Sequence, residues 1–384
     1  MNETILKINQ LFKEKFKGEP SGFWSPGRIN LIGEHIDYND GFVMPGAIDK
    51  GIYYAIAFND TDHFNFYAVD YDETFSIKQT EIKQSVGWKN YVLGVIYEFT
   101  QLGNEIKGFD CVIGGNIANG AGISSSAAVE GGMAFSINEL MGFGLDRKEL
   151  ALLCQRAEHN FPGVNCGIMD QYANMHGKKD HVMLLDCQSI THEYLPFKLT
   201  DSTLVLINTN VHHNLAASAY NERRQQCEKG LKIMQNKLGI NSFREVESAE
   251  TLLQFKEEMG EIVYQRCLYV VEEILRTKQA AVLLKKNDIE GFGKLMFQTH
   301  YGLQHLYSVS CPELDFLVDF ASKREEVIGA RLMGGGFGGC TINIIKNSGK
   351  DNFLKEIASD YKSAFNIEAE MYEVKIMDGT HQVS

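Results

Sequence analysis

A glycine- and serine-rich stretch has the composition of a phosphate-binding loop. It consists of Gly120, Ala121, Gly122, Ile123, Ser124, Ser125 and Ser126, and the pattern beyond it predicts a helix over residues 127–141. Glycines let the backbone approach an anion, serines add hydroxyl groups, and a helix start presents unpaired N–H groups. The same composition suits a flexible loop with a serine helix cap, so the residues alone leave the two interpretations balanced. The lysine of a Walker A loop is absent.

A second glycine cluster covers residues 334–339, of which five are glycine. The pattern GGGFGG matches G-x-G-x-x-G formally. It fails as a dinucleotide-binding fingerprint, because residues 340–345 read as a strand rather than a helix and no long strand is predicted before it. A tight turn between a helix and a strand would not need five glycines. We therefore expect a close approach to a ligand or to another domain.

The segment GRINLIGEHIDYN, residues 27–39, concentrates side chains that form hydrogen bonds. Such a density suits a sugar, whose hydroxyl groups each need a donor or an acceptor. The alternative is a solvated polar loop. Leu31 and Ile32 in its middle favour attachment to a hydrophobic core, which a free surface loop would not require.

The elements that must position these segments alternate irregularly between helix and strand. Periodicity predicts strands over residues 52–58, 64–69, 182–185, 204–207, 340–345 and 371–376. It predicts helices over residues 91–102, 127–141, 147–160, 216–237, 249–258, 264–287 and 312–322. Asp146 and Glu149 are spaced as a capping box at the start of the third of these helices. The mixture predicts an α+β fold rather than a doubly wound sheet.

The length of 384 residues favours two domains. Residues 186–201 contain Pro196 and mixed polarity, so we place the boundary there, giving domains 1–195 and 196–384. The net charge of −13 argues against a nucleic-acid partner. The eight cysteines form no C-x-x-C pair, the N-terminus has no apolar signal sequence, and no apolar run could span a bilayer. We expect a cytoplasmic protein with no membrane partner.

Taken together, the three segments resemble the three motifs of the GHMP small-molecule kinase superfamily. The stretch GRINLIGEHIDYNDGFVMPGAI resembles the signature of the galactokinase family within it, and WKNYVLGV, AEHNFPGVNCGIMDQYA, SAYNERRQQC and VSCPELD fit the same family. The resemblance runs from about Trp24 to Met377. It implies an N-terminal domain like domain 2 of ribosomal protein S5, which binds sugar and ATP. A ferredoxin-like C-terminal domain would contain the third motif, with the active site between the two.

The resemblance also implies a reaction, the ATP-dependent phosphorylation of α-D-galactose at its anomeric hydroxyl to give galactose 1-phosphate and ADP. This is the first committed step of galactose use. Asp170 is implied to face that hydroxyl, and Arg28 is implied to pair with Asp170 and to stabilise charge on the transferred group. Without the resemblance, Asp170 would read as a helix-capping or salt-bridged residue and Arg28 as the partner of a surface acid.

The family pattern further implies binding residues. Mg²⁺ is implied at Ser126 and Glu158, the phosphates at residues 120–126, and adenine beside Trp88, although a core tryptophan is nearly as consistent with the sequence. The implied sugar-binding residues are Glu34, His35, Ile36, Asp37, Gly167 and Tyr220. We expect a monomer that takes galactose and ATP.

Three positions depart from the family pattern. The usual proline before the phosphate loop is absent from Ile117-Ala118-Asn119-Gly120, Met333 replaces a common threonine, and Leu268-Tyr269 replaces a common Arg-His. They concern adenine binding more than the reaction. The alternatives are a kinase for N-acetylgalactosamine or another sugar, a galactokinase-like sugar sensor, and another GHMP kinase such as a mevalonate kinase. The intact Ser-Ser-Ala-Ala after Ser124 favours catalysis over sensing.

Overall fold

The computed structural model describes residues 3–117, 122–212 and 216–383. Gly120 and Ala121 of the predicted phosphate loop lie outside the described residues. The strands in chain order are β1 (Ser21–Asn30), β2 (Phe42–Val43), β3 (Pro45–Phe58), β4 (His63–Ala68), β5 (Glu73–Lys78), β6 (Phe109–Gly115), β7 (His181–Asp186), β8 (Thr191–Pro196), β9 (Ser202–His212), β10 (Val327–Leu332), β11 (Gly338–Lys346), β12 (Glu370–Val374) and β13 (His381–Val383).

The α-helices in chain order are α1 (Glu3–Lys15), α2 (Lys89–Gln101), α3 (Ser125–Met141), α4 (Arg147–Asn160), α5 (Met169–His176), α6 (Ala216–Leu238), α7 (Lys256–Met259), α8 (Glu261–Lys285), α9 (Ile289–Gly302), α10 (Pro312–Ala321) and α11 (Lys350–Phe365). Short 3₁₀ helices cover Asp37–Asn39, Val69–Tyr71, Gln79–Glu81, Phe243–Glu245 and Ala249–Phe255, and a π-helical turn covers Leu303–Tyr307.

The first sheet has the strand order β13-β1-β3-β6-β4-β5, and only its β4–β6 pair is parallel. Side chains alternate between its two faces, as the period of a strand requires. Trp24 and Tyr53 pack under α1, whereas Phe23 and Tyr54 belong to the core that α2 to α5 cover. Helices therefore lie on both faces of this sheet.

The second sheet, β10-β11-β9-β12, is antiparallel throughout, and β9 at its centre alternates in the same way. Val205 and Ile207 face a core shared with α10 and α11, while Leu204 and Leu206 face a core shared with α9 and with β1. A small antiparallel sheet, β2-β7-β8, completes the strands. The core behind Leu204 thus joins residues from both halves of the chain.

Most of the predicted elements are confirmed. The capping box forms at the start of α4, where Asp146 accepts from the Glu149 N–H and Glu149 accepts from the Asp146 N–H. The prediction of a helix over 249–258 is wrong in its type, since a 3₁₀ segment leads into the single turn of α7. The sequence predicted no long strand before the second glycine cluster, and the structure has a short one of six residues there. Strand β10 leads into it, so the cluster joins two antiparallel strands.

The α+β fold class is confirmed. The predicted boundary between residues 195 and 196 stays a prediction; it falls at the end of β8, while β13 returns to pair with β1. In the described ranges, no helix is both long enough and apolar enough to cross a membrane.

Asn174 connects α5 to β1 next to the polar segment of residues 27–39. Its Nδ2 donates to Ser25 Oγ at 2.9 Å and to the Pro26 carbonyl at 2.6 Å, and its Oδ1 accepts from Thr380 Oγ1 at 2.7 Å. Gly131 on α3 makes this arrangement possible, because a Cβ there would lie 1.9 Å from Asn174 Oδ1. The Asn174 amide is therefore held through both its nitrogen and its oxygen, and Gly131 leaves the space that its oxygen occupies.

Replacing Gly131 with alanine should therefore destabilise the protein by about 1–3 kcal/mol. An alanine inside a helix would otherwise stabilise it by up to about 1 kcal/mol. The free energy of unfolding from urea titration measures the change, with the exposed Ser359→Ala on α11 as the control, expected within about 0.5 kcal/mol of the parent. A Gly131→Ala variant as stable as the parent would show that the Asn174 contacts are not rigid.

Candidate active site

The site is built around an ion pair between Arg28 on β1 and Asp170 on α5. Arg28 Nε donates to Asp170 Oδ1 at 2.7 Å, and Arg28 Nη2 donates to Asp170 Oδ2 at 2.8 Å. The strand has a register shift between Pro26 and Arg28, and a Cβ at the intervening Gly27 would lie 2.6 Å from the Ile123 carbonyl. Such bulges re-aim a side chain, and here Arg28 reaches across to the first turn of α5.

Each partner of this pair also contacts the serine-rich loop. Arg28 Nη1 donates to the Gly122 carbonyl at 2.6 Å, and Ser124 Oγ donates to Asp170 Oδ2. Burial is the largest single effect and opposes the charge of Arg28, but attraction and hydrogen bonding by Asp170, together with attraction by Glu34 and Asp37, outweigh it, so the pKa of Arg28 is raised. The Arg28 side chain is only 5% exposed and that of Asp170 is 26% exposed. Asp170 is therefore the more accessible member of the pair.

A cavity next to this pair brings together residues from two of the three segments, residues 27–39 and the second glycine cluster. It is lined by Arg28, Glu34, His35, Asp37, Glu158, Val164, Cys166, Gly167, Met169, Asp170, Tyr220, Gly334 and Gly335. Gly334 also packs on Gly122 of the serine-rich loop. A Cβ at position 334 would lie only 3.3 Å from the Gly122 carbonyl oxygen. This packing confirms the close approach expected of the second glycine cluster.

Asp37 faces Gly167 across the cavity. A Cβ at Gly167 would lie 2.0 Å from Asp37 Oδ2, so only glycine leaves this carboxylate in place. Burial is the main cause that raises the pKa of Asp37 to about 7, and repulsion by Asp170 and Glu34 adds to it. The group is thus held in a site that penalises its charge unless a ligand supplies hydrogen-bond donors.

His35 borders the same cavity, but both of its ring nitrogens are occupied by the protein. Nε2 lies 3.1 Å from the Gly335 carbonyl and Nδ1 lies 2.8 Å from Tyr38 Oη. Burial lowers the pKa of His35 to about 4, so the ring is neutral. A carbonyl can only accept, so Nε2 donates to it and Nδ1 accepts from Tyr38. His35 therefore links the polar segment of residues 27–39 to the second glycine cluster.

Two more of the predicted sugar residues, Tyr220 and Ile36, differ in their placement. Tyr220 lines the cavity, and its ring lies 5.2 Å from the rings of both His35 and Tyr38. The side chain of Ile36 instead lies in the hydrophobic core, and its carbonyl accepts from the N–H groups of Asn39 and Gly41. The structure does not bring the Ile36 side chain to the cavity.

A second cavity lies on the other side of the serine-rich loop. It is lined by Ile52, Ala68, Asp70, Tyr71, Trp88, Tyr91, Ile113, Ile117, Ser125, Ser126 and Val129. Trp88 is parallel to Tyr71 with ring centroids 6.2 Å apart, and its Nε1 donates to Glu73 at 2.9 Å. Ile123 does not reach either cavity as a side chain; it is buried, and its carbonyl accepts from Arg28 N at 3.1 Å.

Two further acidic groups, Glu130 and Glu158, lie near the loop, and no cation among the described residues forms an ion pair with them. Gln171 Nε2 donates to Glu158 Oε2 at 2.5 Å and to Glu130 Oε2 at 3.2 Å. Burial, with repulsion by Asp170, raises the pKa of Glu158 to about 7. Burial also raises the pKa of Glu130, whose buried Oε1 has no hydrogen-bond partner in the part of the chain that the structure describes.

These residues fit a hard divalent cation. Ser126 lies close enough to Glu158 to lower the pKa of that carboxyl in part, so a hydroxyl and a carboxylate converge as oxygen donors. Nowhere in the described part of the chain do three His, Cys, Asp or Glu side chains form a metal site. A cation at Ser126 and Glu158 would therefore need phosphate oxygens to complete its shell.

Sequence reasoning missed two residues of the C-terminal half that form hydrogen bonds with the polar segment of residues 27–39. Glu273 Oε1 on α8 accepts from the Gly33 N–H at 2.9 Å, and Arg331 Nη1 on β10 donates to Glu34 Oε2 at 2.7 Å. Arg331 stands just before the second glycine cluster. A charged residue inside the apolar pattern of β10 was the one signal that could have indicated it.

Comparison with known proteins agrees with this geometry. The galactokinase galactose-binding signature matches residues 10–58. The GHMP kinases N terminal domain matches residues 90–178, and the GHMP kinases C terminal model matches residues 280–363. A crystal structure of mevalonate kinase from Methanococcus jannaschii, 20% identical, covers 94% of this chain and is itself covered completely, with a TM-score of 0.65, so it shares the fold. The fold is that of a GHMP small-molecule kinase, as predicted.

Nearer relatives identify the branch. A galactokinase of Fusobacterium nucleatum is 40% identical over 396 residues, covering all of both chains. One of Thermotoga neapolitana is 39% identical over 359 residues, which is 94% of this chain and 99% of the relative. The crystal structure of Lactococcus lactis galactokinase complexed with galactose has a TM-score of 0.95 at 34% identity, covering 99% of this chain and 100% of that one. This chain belongs to the galactokinase family and is an ATP-dependent kinase.

The raised pKa of Asp37 gives a pH-dependent test of the empty site. The folded carboxyl keeps its proton up to about pH 7, whereas the unfolded chain releases it near 3.8. Stability from this group is therefore present at low pH and is lost as the pH rises through 7. Asp37→Asn removes the penalty, so its gain in unfolding free energy should grow from pH 4 to 8, reaching on the order of a few kcal/mol.

Thermal unfolding of the ligand-free protein across this pH range measures the gain. The exposed Asp360→Asn on α11 is the matched control and should differ from the parent by a constant amount. An equal effect of Asp37→Asn at pH 5 and pH 8 would contradict the assignment.

Proposed function

We propose that this kinase transfers the γ-phosphoryl group of ATP to the anomeric oxygen of α-D-galactose, giving galactose 1-phosphate and ADP. The observation that supports it most is the Arg28–Asp170 pair. It faces a cavity lined by Glu34, Asp37 and Gly167 of the family's sugar-binding pattern.

Asp170 is proposed to act on the sugar directly. Its carboxylate, fixed by the two Arg28 hydrogen bonds, orients the anomeric hydroxyl and accepts its proton as the oxygen bonds to the γ-phosphorus. The bond from that phosphorus to the ADP oxygen breaks at the same time. Because such transition states are loose, positioning and charge stabilisation contribute at least as much as proton removal.

Arg28 and the serine-rich loop are proposed to hold the transferred group. Arg28 lies between Asp170 and the loop carbonyl of Gly122, so its guanidinium can stabilise charge on the γ-phosphate. Residues 120–126 would accept the phosphates at the start of α3, where backbone N–H groups are unpaired. Ser125 and Ser126 of the loop line the cavity beside Trp88, which supports our proposal that adenine binds there.

Mg²⁺ is proposed to bind at Ser126 and Glu158. When bound, it would neutralise charge on the phosphates. Gln171 holds Glu158 Oε2 for this role. The acidic surroundings of Glu158 are then offset by a cation rather than by protonation.

The sugar preference is proposed to rest on buried acceptors. Asp37 and Glu34 can each accept from a hydroxyl group, and an epimer that fails to reach one of them leaves a buried carboxylate without a partner. We also propose a monomer in a reducing cytoplasm. All eight cysteines are unpaired, which suits that compartment.

A coupled assay of ADP release across galactose, glucose, N-acetylgalactosamine, arabinose and mevalonate tests the proposed substrate. Galactose should give the highest kcat/KM. A higher kcat/KM with N-acetylgalactosamine would replace the sugar in the proposal, and turnover with mevalonate alone would refute a sugar substrate. Binding of galactose and ATP without any turnover would favour a sensor.

Asp170→Asn should lower kcat by at least about 100-fold while ATP binding is retained, because the amide cannot accept the proton. The coupled assay gives kcat, and calorimetry gives the dissociation constant of ATP. Asp351→Asn, an exposed change at the start of α11, is the control and should have the parent's rate. Near-normal turnover of Asp170→Asn would rule out its assigned role.

The position of adenine can be read from fluorescence, because the chain has two tryptophans. Trp88 lines the second cavity, whereas Trp24 packs against Tyr53 under α1. Addition of ATP should change the emission of the parent and of Trp24→Phe, but not that of Trp88→Phe. If instead the Trp24→Phe protein loses the response, adenine binds elsewhere.

A further inference from the structure

Arg331 on β10 is a completely buried cation whose side chain contacts the polar segment of residues 27–39. Its Nε donates to the Leu31 carbonyl at 2.8 Å and its Nη2 donates to the Asn30 carbonyl. Its Nη1 donates to the Leu332 carbonyl at 2.6 Å and to Glu34 Oε2 at 2.7 Å. The side chain has 0% exposure, and that of Glu34 has 3%. Every nitrogen of the guanidinium therefore has an acceptor.

Stability alone is a weak reason for such a pair. Well-packed apolar residues often replace a buried ion pair without loss of stability, since the attraction between the charges barely offsets their desolvation. The position of the pair suggests another reason. Glu34 lines the sugar cavity, whereas Arg331 is not among the described residues that border it. Any effect of Arg331 on the sugar must therefore pass through Glu34 or the loop.

The hydrogen bonds of Glu34 are one-sided. Oε2 accepts from Arg331 Nη1 and from Asn30 Nδ2, the latter at 3.3 Å. Among the described residues, none donates a hydrogen bond to Oε1. The carboxylate is thus fixed through one oxygen and has the other available to a ligand.

We propose that Arg331 is a positioning residue for the sugar: by binding Glu34 Oε2, it presents Glu34 Oε1 to a hydroxyl group of galactose. This inference rests on the proposed sugar site. The planar fork of arginine meets the Leu31 carbonyl and the Glu34 carboxylate at once, which the single ammonium of a lysine could not do in the same directions.

The backbone of the loop has a separate support. Glu273 on α8 accepts from the Gly33 N–H at 2.9 Å and from Thr299 Oγ1 at 3.0 Å. Loss of Arg331 should therefore disturb the Glu34 side chain more than the path of the loop. The effect should fall on sugar binding rather than on ATP binding, because neither Arg331 nor Glu34 lines the cavity beside Trp88.

The Arg331→Met variant tests this role. KM for galactose should rise at least about tenfold, as for loss of a hydrogen bond to a charged group, while KM for ATP stays at the parent value. Arg324→Met removes a half-exposed arginine that pairs with Glu356 and is the matched control, with both KM values expected unchanged. If Arg331→Met does not fold, Arg331→Lys should show the same selective rise, to a smaller extent.

A double-mutant cycle separates positioning from general support. If Arg331 acts through Glu34, Arg331→Met should add little to the KM for galactose of Glu34→Gln. Parallel rises in both KM values, or additive effects in the cycle, would overturn the inference. A parent protein without galactose turnover would instead refute the proposed function, so the two failures are distinguishable.

Discussion

The ion pair between Arg28 and Asp170 joins residues that are 142 positions apart, and the arrangement of the site depends on it. Strand β1 has a register shift just before Arg28, whose side chain reaches α5, and α5 begins where Asp170 can accept both of its hydrogen bonds. Asn174, one turn further along α5, binds the backbone of β1 at Pro26. Strand and helix are therefore fixed at two points, and the angle of the guanidinium to the carboxylate is fixed with them.

The unliganded site is electrostatically unfavourable apart from this pair. The pKa values of Asp37 and Glu158 are both raised to about 7, chiefly by burial, and the carboxylates repel one another. Such acids cost stability at neutral pH, and a protein tolerates that cost where ligands supply the missing partners. Sugar hydroxyls beside Asp37 and a cation beside Glu158 would supply them. The site is thus built to be completed by its substrates.

Local signals in the sequence predicted much of the fold. The capping box at Asp146, the helical periodicity of α8 and the alternation of β9 depend on neighbouring residues, so they could be read directly. Residues 249–258 were predicted to form one α-helix but form a 3₁₀ helix and one α-helical turn. The two kinds of helix have similar patterns of apolar residues over such a short segment. Strand β10 was missed because it is short and contains a buried arginine.

Some site residues could likewise be predicted from local sequence, whereas others could not. The polar segment and the serine-rich loop were evident as candidates, but only family resemblance indicated Asp170, since a single acid in a helix has many uses. The partners of Arg331 and Glu273 could not be predicted, because Glu34 and Gly33 lie 297 and 240 positions away and no local rule connects them. His35 was expected to bind sugar, and its two ring hydrogen bonds to Gly335 and Tyr38 could be seen only in three dimensions.

The position of the transferred phosphate tests most directly whether Asp170 faces the anomeric hydroxyl. Galactose labelled with ¹³C at C1 can be incubated with ATP and the protein, and the product followed by carbon NMR. The C1 resonance should become split by coupling to phosphorus as ADP is formed. Phosphorus coupling at another carbon, or an unchanged C1 resonance during ADP release, would contradict the placement of Asp170.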